Sequence, residues 1–261
     1  MRPGSFAADL RDGLLDLVFA PVCAACAAPV PTSEAERRVC RVCWSRIREV
    51  PAPRCGRCWT PLPPAGEPGP RCAACRELPA GVRAVRSAYV MGDTARRLVH
   101  ALKYRGWSTL AEPLGRRMAD LPWPRDVLDE ARLVVPVPTS RTRVRERGYN
   151  QAALLADAFA ARTGRSVDAG LLARTRAGST QTALHPDERR ANVAGAFAVP
   201  EGRRGDVRGE HLLLVDDVWT TGATAVACAE ALLDAGARVV SVATFARAIP
   251  ELQRLRGAAG G

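Results

Sequence analysis

Apolar and polar positions change rhythm twice along the chain. Over Ser5–Phe19, Phe6, Leu10, Leu14 and Leu17 share one helical face, broken by Asp9, Asp12 and Asp16. That pattern predicts an amphipathic helix docked on the protein rather than a signal-peptide core. Residues 21–79 hold neither a helical nor a strand period and are rich in Pro and Cys. From about residue 81, strand-like runs alternate with helical stretches, the pattern of an α/β domain with a mostly parallel sheet flanked by helices. Strands are predicted at Arg83–Val90, Arg132–Val137, His211–Val215 and Arg238–Thr244. The run Leu212-Leu213-Leu214-Val215 has no alternation, as a central parallel strand requires. Helices are predicted at Asp93–Tyr104 (capped by Asp93 or Thr94), Leu110–Leu121, Gln151–Arg162 and Ala223–Ala235. Residues 200–210 read as a loop, and the tail from Gly257 as disordered. The division expected is 1–20, an opening helix; 21–79, a cysteine module; 81–250, the α/β domain; and 251–261, a tail.

Eight of the nine Cys sit in the module, as Cys23/Cys26, Cys40/Cys43, Cys55/Cys58 and Cys72/Cys75. This is an internal repeat of two C-x2-C-x13-C-x2-C units joined by 11 residues. Such spacing suits four thiolates around Zn²⁺ at ~2.3 Å, a closed and therefore structural site. Disulfides, an iron–sulfur cluster and catalytic thiols are the rival readings. The equal gaps favour sequential over cross-braced pairing. Cys228 lies alone in a predicted helix and reads as a small core residue. Trp44 and Trp59 each follow a Cys, and either stack on bases or cover the knuckles.

The 261 residues suit one large domain or two smaller ones, and 47% apolar content is enough for a core. Aromatics are only 5%, so that core rests on Ala, Leu and Val. The formal charge of +11 concentrates after residue 80, once eight thiolates and two Zn²⁺ neutralise the module. A basic domain attracts polyanions, though many of its arginines serve only solubility. Lys103 is the one Lys beside 37 Arg; it marks a site needing a compact ammonium, or stands there by chance. No run reaches the ~18–20 apolar residues of a membrane helix, so no membrane insertion is expected, and the chain reads as cytoplasmic.

The sharpest motif is Leu212-Leu213-Leu214-Val215-Asp216-Asp217-Val218-Trp219-Thr220-Thr221-Gly222-Ala223-Thr224. A buried strand delivers two carboxylates where open α/β sheets bind ligands. A turn with hydroxyls and a glycine follows, then a helix whose first amides hold a phosphate. A nucleotide-binding P-loop needs G-x4-G-K-[ST], which is missing, and a receiver domain needs a Lys after residue 217, where none stands.

This motif resembles the loop of type I phosphoribosyltransferases that binds phosphoribosyl pyrophosphate (PRPP). Three further segments sharpen the match: Leu102-Lys103-Tyr104-Arg105-Gly106; Pro136-Val137-Pro138 with Arg147-Gly148-Tyr149-Asn150-Gln151; and Gln181, Leu184, Arg189, Asn192-Val193, Ala196-Phe197. With paired C-x2-C units in front, the chain is similar to the ComF/GntX family, competence-associated proteins with a phosphoribosyltransferase-like domain behind a zinc ribbon. The resemblance runs from Cys23 to about Phe245. It implies a type I phosphoribosyltransferase fold, and a glycosyltransferase that moves phosphoribosyl from PRPP to a nitrogen acceptor it does not identify. It implies Asp216 and Asp217 on the ribose hydroxyls, Thr220, Thr221, Gly222, Ala223 and Thr224 on the 5′-phosphate, and Mg²⁺ between ribose and pyrophosphate.

Arg141, Arg143, Arg145 and Arg147 follow a strand, where a pyrophosphate cradle lies in such folds; a solvated basic loop is the rival reading. Lys103 either reaches pyrophosphate from a separate loop or is exposed. The polar stretch 176–192 is the candidate closing loop, and His185 within it an acid or base or a bystander. Two non-enzymatic alternatives stand beside the transferase: a single-stranded-DNA-binding module serving competence proteins, and a protein that docks on a partner through its zinc module.

Overall fold

The computed structural model describes residues 21–31, 38–63, 72–175 and 195–249. The opening helix at 1–20, the closing loop 176–192 with His185, and the tail 251–261 fall outside these residues.

Each cysteine unit opens with the same turn. Cys23 N donates to Ala28 O and Cys55 N to Thr60 O, both at 2.8 Å. Bridges Val22–Pro29 and Arg54–Pro61 close the two turns. The residue after each second Cys, Ala27 and Trp59, takes φ of 60° and 63°. The second Cys pair of each unit then heads a helical turn, α1 (Arg41–Arg46) after Cys40 and a 3-10 turn (Ala73–Glu77) after Cys72. The sequence repeat is thus a structural repeat.

Among the described residues, strands run in chain order as β1 (Val82–Val90), β2 (Leu133–Pro136), β3 (Ser166–Val167), β4 (Ala173–Arg174), β5 (Phe197–Ala198), β6 (His211–Trp219) and β7 (Val239–Arg247). Five form one all-parallel sheet in the order β1-β7-β6-β2-β3, while β4 and β5 pair antiparallel. The helices are α2 (Asp93–Tyr104), α3 (Ala111–Ala119), α4 (Arg125–Glu130), α5 (Arg141–Arg147), α6 (Gln151–Thr163) and α7 (Ala223–Asp234). Among the described residues no helix is long and apolar enough to cross a membrane.

The lack of alternation in β6 is explained by cover on both sheet faces. Leu213 and Val215 join a core with Leu98, Leu102, Leu114, Met118 and Phe159 of α2, α3 and α6. Leu212 and Leu214 join a second core with Cys228 and Leu232 of α7. Each such fully buried Leu or Phe contributes roughly 1.5–3 kcal/mol. The helices α3 and α6 approach closely at Gly115, where a Cβ would lie 2.6 Å from Ala158 Cβ and 2.8 Å from Leu155 O.

Several expectations are corrected. The strand predicted to end at Val215 runs on to Trp219, because β7 pairs with it as far as Trp219–Arg247. The strand expected to stop at Thr244 likewise reaches Arg247. The segment 200–210 contains a 3-10 turn, Glu201–Asp206. The N-cap of α2 is Gly92 rather than Asp93 or Thr94. Finally, Arg141–Arg147 is a helix, not a loop: Ser140 Oγ accepts from Arg143 N, and Gly148 closes it at φ 82°.

Candidate functional site

The order in which strands are added reverses between β2 and β6. From β2 the chain proceeds outward to β3, and from β6 it proceeds the opposite way to β7. Open α/β sheets hold ligands in the crevice beyond the strand ends at such a reversal. The register builds that crevice. Pairing of β2 with β6 stops at Pro136–Val215, so Asp216–Trp219 extend past the end of β2 with only β7 beside them.

Asp216 and Asp217 occupy this overhang. Asp217 is 3% exposed, and Lys103 Nζ stands 2.6 Å from its Oδ2. Asp217 N donates to Asp216 Oδ1 at 2.8 Å. Burial, and next the neighbouring Asp217 carboxylate, push the Asp216 carboxyl up to about 8; Lys103 opposes them. These influences favour the protonated form of Asp216 in the ligand-free state.

The turn follows at once. Gly222 caps α7 at φ 82°, a conformation that favours glycine. A Cβ there would lie 2.3 Å from Trp219 Cζ2, so the indole packs directly against the turn. Thr221 Oγ1 accepts from Ala223 N at 3.4 Å, and Thr220 is exposed. The first turn of α7 carries no acidic residue. Its amides are directed at the crevice with the positive end of the helix dipole, a setting for an anion.

The other segments singled out in the sequence converge here. Lys103 is not on a separate loop but in the last turn of α2, from which it spans to Asp217. Tyr149 Oη donates to Leu102 O at 2.6 Å, and the Arg147 guanidinium lies 4.6 Å from the Tyr104 ring centroid. Arg147 Nη1 donates to Gln151 Oε1, while its buried Nε has no partner. Asn150 donates to Val137 O and accepts from Ala152 N, so it caps α6 and ties it to β2. Val137 N in turn donates to Val215 O. Arg141, Arg143 and Arg145 are exposed on α5; only Arg147 of the four is half-buried and held. Thr224 lies in the first turn of α7, half-buried.

The eight thiols gather in sequence order into two sets, Cys23/Cys26/Cys40/Cys43 and Cys55/Cys58/Cys72/Cys75, each with its sulfurs within 4.8 Å of one another. Measured separations of 3.8 Å (Cys26–Cys40), 3.5 Å (Cys55–Cys75) and 3.3 Å (Cys58–Cys72) approach the spacing of about 3.8 Å implied by four ~2.3 Å Zn–S bonds in a tetrahedron. Burial raises Cys55, but backbone amides of Cys58 and Arg57 outweigh it and bring the thiol down to about 6. The donor set and spacing fit structural zinc in both sites.

Both tryptophans cover the knuckles. Trp59 is buried between Arg54 and Arg86, each guanidinium 4.2 Å from its ring centroid, and Trp44 lies under Arg117 at 3.4 Å. Cys228 is buried in the α7 core, its thiol pushed well up by that burial. Sequence reasoning missed Arg86 and Arg247, two buried arginines that tie the second cysteine unit to the sheet. Their only signal was a charge placed inside an apolar strand.

The double zinc ribbon domain family matches residues 14–76. The DNA utilization protein YhgH of Salmonella typhi is 31% identical over 223 residues, covering 81% of this chain and 91% of its own. Competence protein ComFC of Bacillus subtilis is 25% identical over 219 residues, covering 80% and 83%. Among solved structures, the glutamine PRPP amidotransferase of B. subtilis with ADP and GMP aligns with 25% identity over 51% of this chain and 25% of its own, at a TM-score of 0.34. A score that low leaves the fold to be read from the sheet itself. Identity of 31% across 81% of this chain, together with the double zinc ribbon, means that the chain belongs to the ComF family.

Proposed function

We propose that the crevice binds PRPP and transfers its phosphoribosyl group to a nitrogen acceptor. The observation that supports this most is the turn itself: a buried acid pair overhanging β2, then a left-handed glycine and an open helix N-terminus. The 5′-phosphate lies on Thr220–Thr224, and the ribose hydroxyls donate to Asp216 and Asp217. To accept such a hydrogen bond as a carboxylate, Asp216 gives up the proton it holds at rest. Lys103 releases Asp217 to the hydroxyls and turns its ammonium to the pyrophosphate, where half-buried Arg147 adds a guanidinium. The acid pair is also the hard-oxygen donor set that suits Mg²⁺, which when bound offsets charge on the pyrophosphate. The C1–O bond to pyrophosphate breaks, a C1–N bond forms, and the acceptor nitrogen loses a proton. Asp216 and Asp217 orient the sugar rather than attack it.

Phosphorus NMR tests this reading. PRPP with Mg²⁺ should show its 5′-phosphate resonance shifted or broadened by the protein, and Gly222→Ala should abolish that change. Unaltered spectra with the wild-type chain would overturn the assignment. A reducing cytoplasm is the compartment that keeps eight thiols available to zinc.

A second reading draws on the relatives named for DNA utilization and competence. Exposed Arg141, Arg143 and Arg145 lie on α5, whose last residue Arg147 reaches the exposed Tyr104 ring, a surface suited to single-stranded DNA. Binding there falls steeply with salt. No measurable affinity at low salt would remove this reading.

A further inference from the structure

The two cysteine sites sit in different electrostatic settings. Beside the first, Arg97 is exposed and reaches Ala25 O at 3.3 Å. Around the second, Arg86 of β1 and Arg247 of β7 are 3% and 4% exposed. Arg86 donates to Gly56 O and Arg57 O, and Arg247 to Cys58 O at 2.6 Å and Thr60 Oγ1 at 3.0 Å. These acceptors belong to the Cys55–Cys58 knuckle and the residues just after it. Among the described residues no carboxylate forms an ion pair with either arginine. Among the described residues these two buried cations meet only neutral oxygens, and buried charges are costly unless paired. Four thiolates around one Zn²⁺ carry a net charge of about −2. That is equal in size and opposite in sign to the charge of the two guanidiniums.

Arg247 also touches the phosphate turn. It pairs in register with Trp219, and its guanidinium lies 5.4 Å from the Trp219 ring centroid. Ala248 N donates to Trp219 O at 2.8 Å. The indole then rests on Gly222. A line of contacts thus runs from the second cysteine site through Arg247 and Trp219 to the anion-binding turn, and a small cavity lined by Thr60, Pro61, Trp219, Thr220 and Ile249 marks the seam.

We propose that the zinc-loaded second site is the counter-charge for Arg86 and Arg247, so that its metal occupancy sets the position of the phosphate turn. The first site lacks this link. Arg86 and Arg247 are positioning residues: Arg247 acts through Trp219, Arg86 holds the Cys55–Cys58 knuckle and the Trp59 ring, and neither needs contact with ligand. The proposal goes beyond the PRPP reading, and its test uses no PRPP.

The test is zinc release to a chromogenic chelator from the full chain, with hydrogen exchange of residues 219–224 followed in parallel. Arg86→Met and Arg247→Met should release one of the two zinc ions at roughly tenfold lower chelator, as loss of an outer-shell partner does. Arg97→Met should leave both unchanged. Folded arginine variants with wild-type release would overturn the proposal. Should those variants not fold, a histidine pair decides. Cys72→His and Cys26→His each keep a zinc-competent Cys3His set but cut the site charge to about −1. Faster exchange at 219–224 in Cys72→His alone supports the proposal; equal exchange in both contradicts it.

Discussion

Lys103 and Asp217 form one contact that contributes to stability and, in the proposed function, to binding. The carboxylate side chain is 5% exposed and the ammonium 23%, at 2.6 Å. Removing Lys103 strands the buried Asp217 carboxylate, at a cost of about 2 kcal/mol since the lysine end of the pair is partly wet. Lys103→Met should therefore lower the melting temperature by roughly 4–8 °C, and adding Asp217→Asn should recover part of that loss. Scanning calorimetry of the single and double variants checks both. Asp216 makes a pH prediction. Its folded carboxyl is raised to about 8 from an ordinary 3.8. Between those values the unfolded chain releases the proton while the folded one keeps it, so this group's contribution to stability declines as pH rises across the window. Asp216→Asn should match the wild type near pH 4 and exceed it by a margin in melting temperature that widens as pH rises toward 8. A pH series of melting curves decides. At this scale the sequence was half legible. The acid pair, the hydroxyls and the lone Lys stood out chemically. Arg86 and Arg247 did not, because burial cannot be read from an arginine among 37.

Elements were legible where one periodicity governed. The helix Asp93–Tyr104 has the predicted bounds because Leu98, Val99 and Leu102 repeat on one face. Element ends set by a neighbour were not legible. Strand β6 overshoots its apolar run since β7 continues alongside it, and that overshoot places the acid pair. Helix α5 lacks any buried residue, so no apolar period announced it; a serine cap and a left-handed glycine define it instead. Gly222 shows the same local control. Alanine there would sit at φ 82° with its Cβ 2.3 Å from Trp219 Cζ2. Gly222→Ala should cost about 1–3 kcal/mol and shift the indole. The expected readout is a changed tryptophan emission together with a lower melting temperature, and unchanged values for both would contradict the packing described.

Across the whole molecule the cysteine module is part of the core rather than an appendage. Cys23, Val39, Cys43 and Ile47 pack in one cluster with Leu98 and Leu102, and Arg57 donates to Val82 O and Pro79 O. Chelation should therefore destabilise the entire chain, giving one cooperative transition at a melting temperature at least 10 °C lower, since structural zinc contributes directly to folding. Two resolved transitions would mean that module and domain unfold apart. This integration was invisible to composition, which divided the chain at residue 80 without showing what crosses the boundary.

The most direct test of the central claim is calorimetric titration of PRPP with Mg²⁺ into the zinc-loaded protein, beside the Asp216→Asn/Asp217→Asn double variant. Binding by the wild type that the double variant loses by a hundredfold or more is the result the acid pair and its turn predict. Equal binding by both proteins, or none by the zinc-loaded wild type, would contradict it.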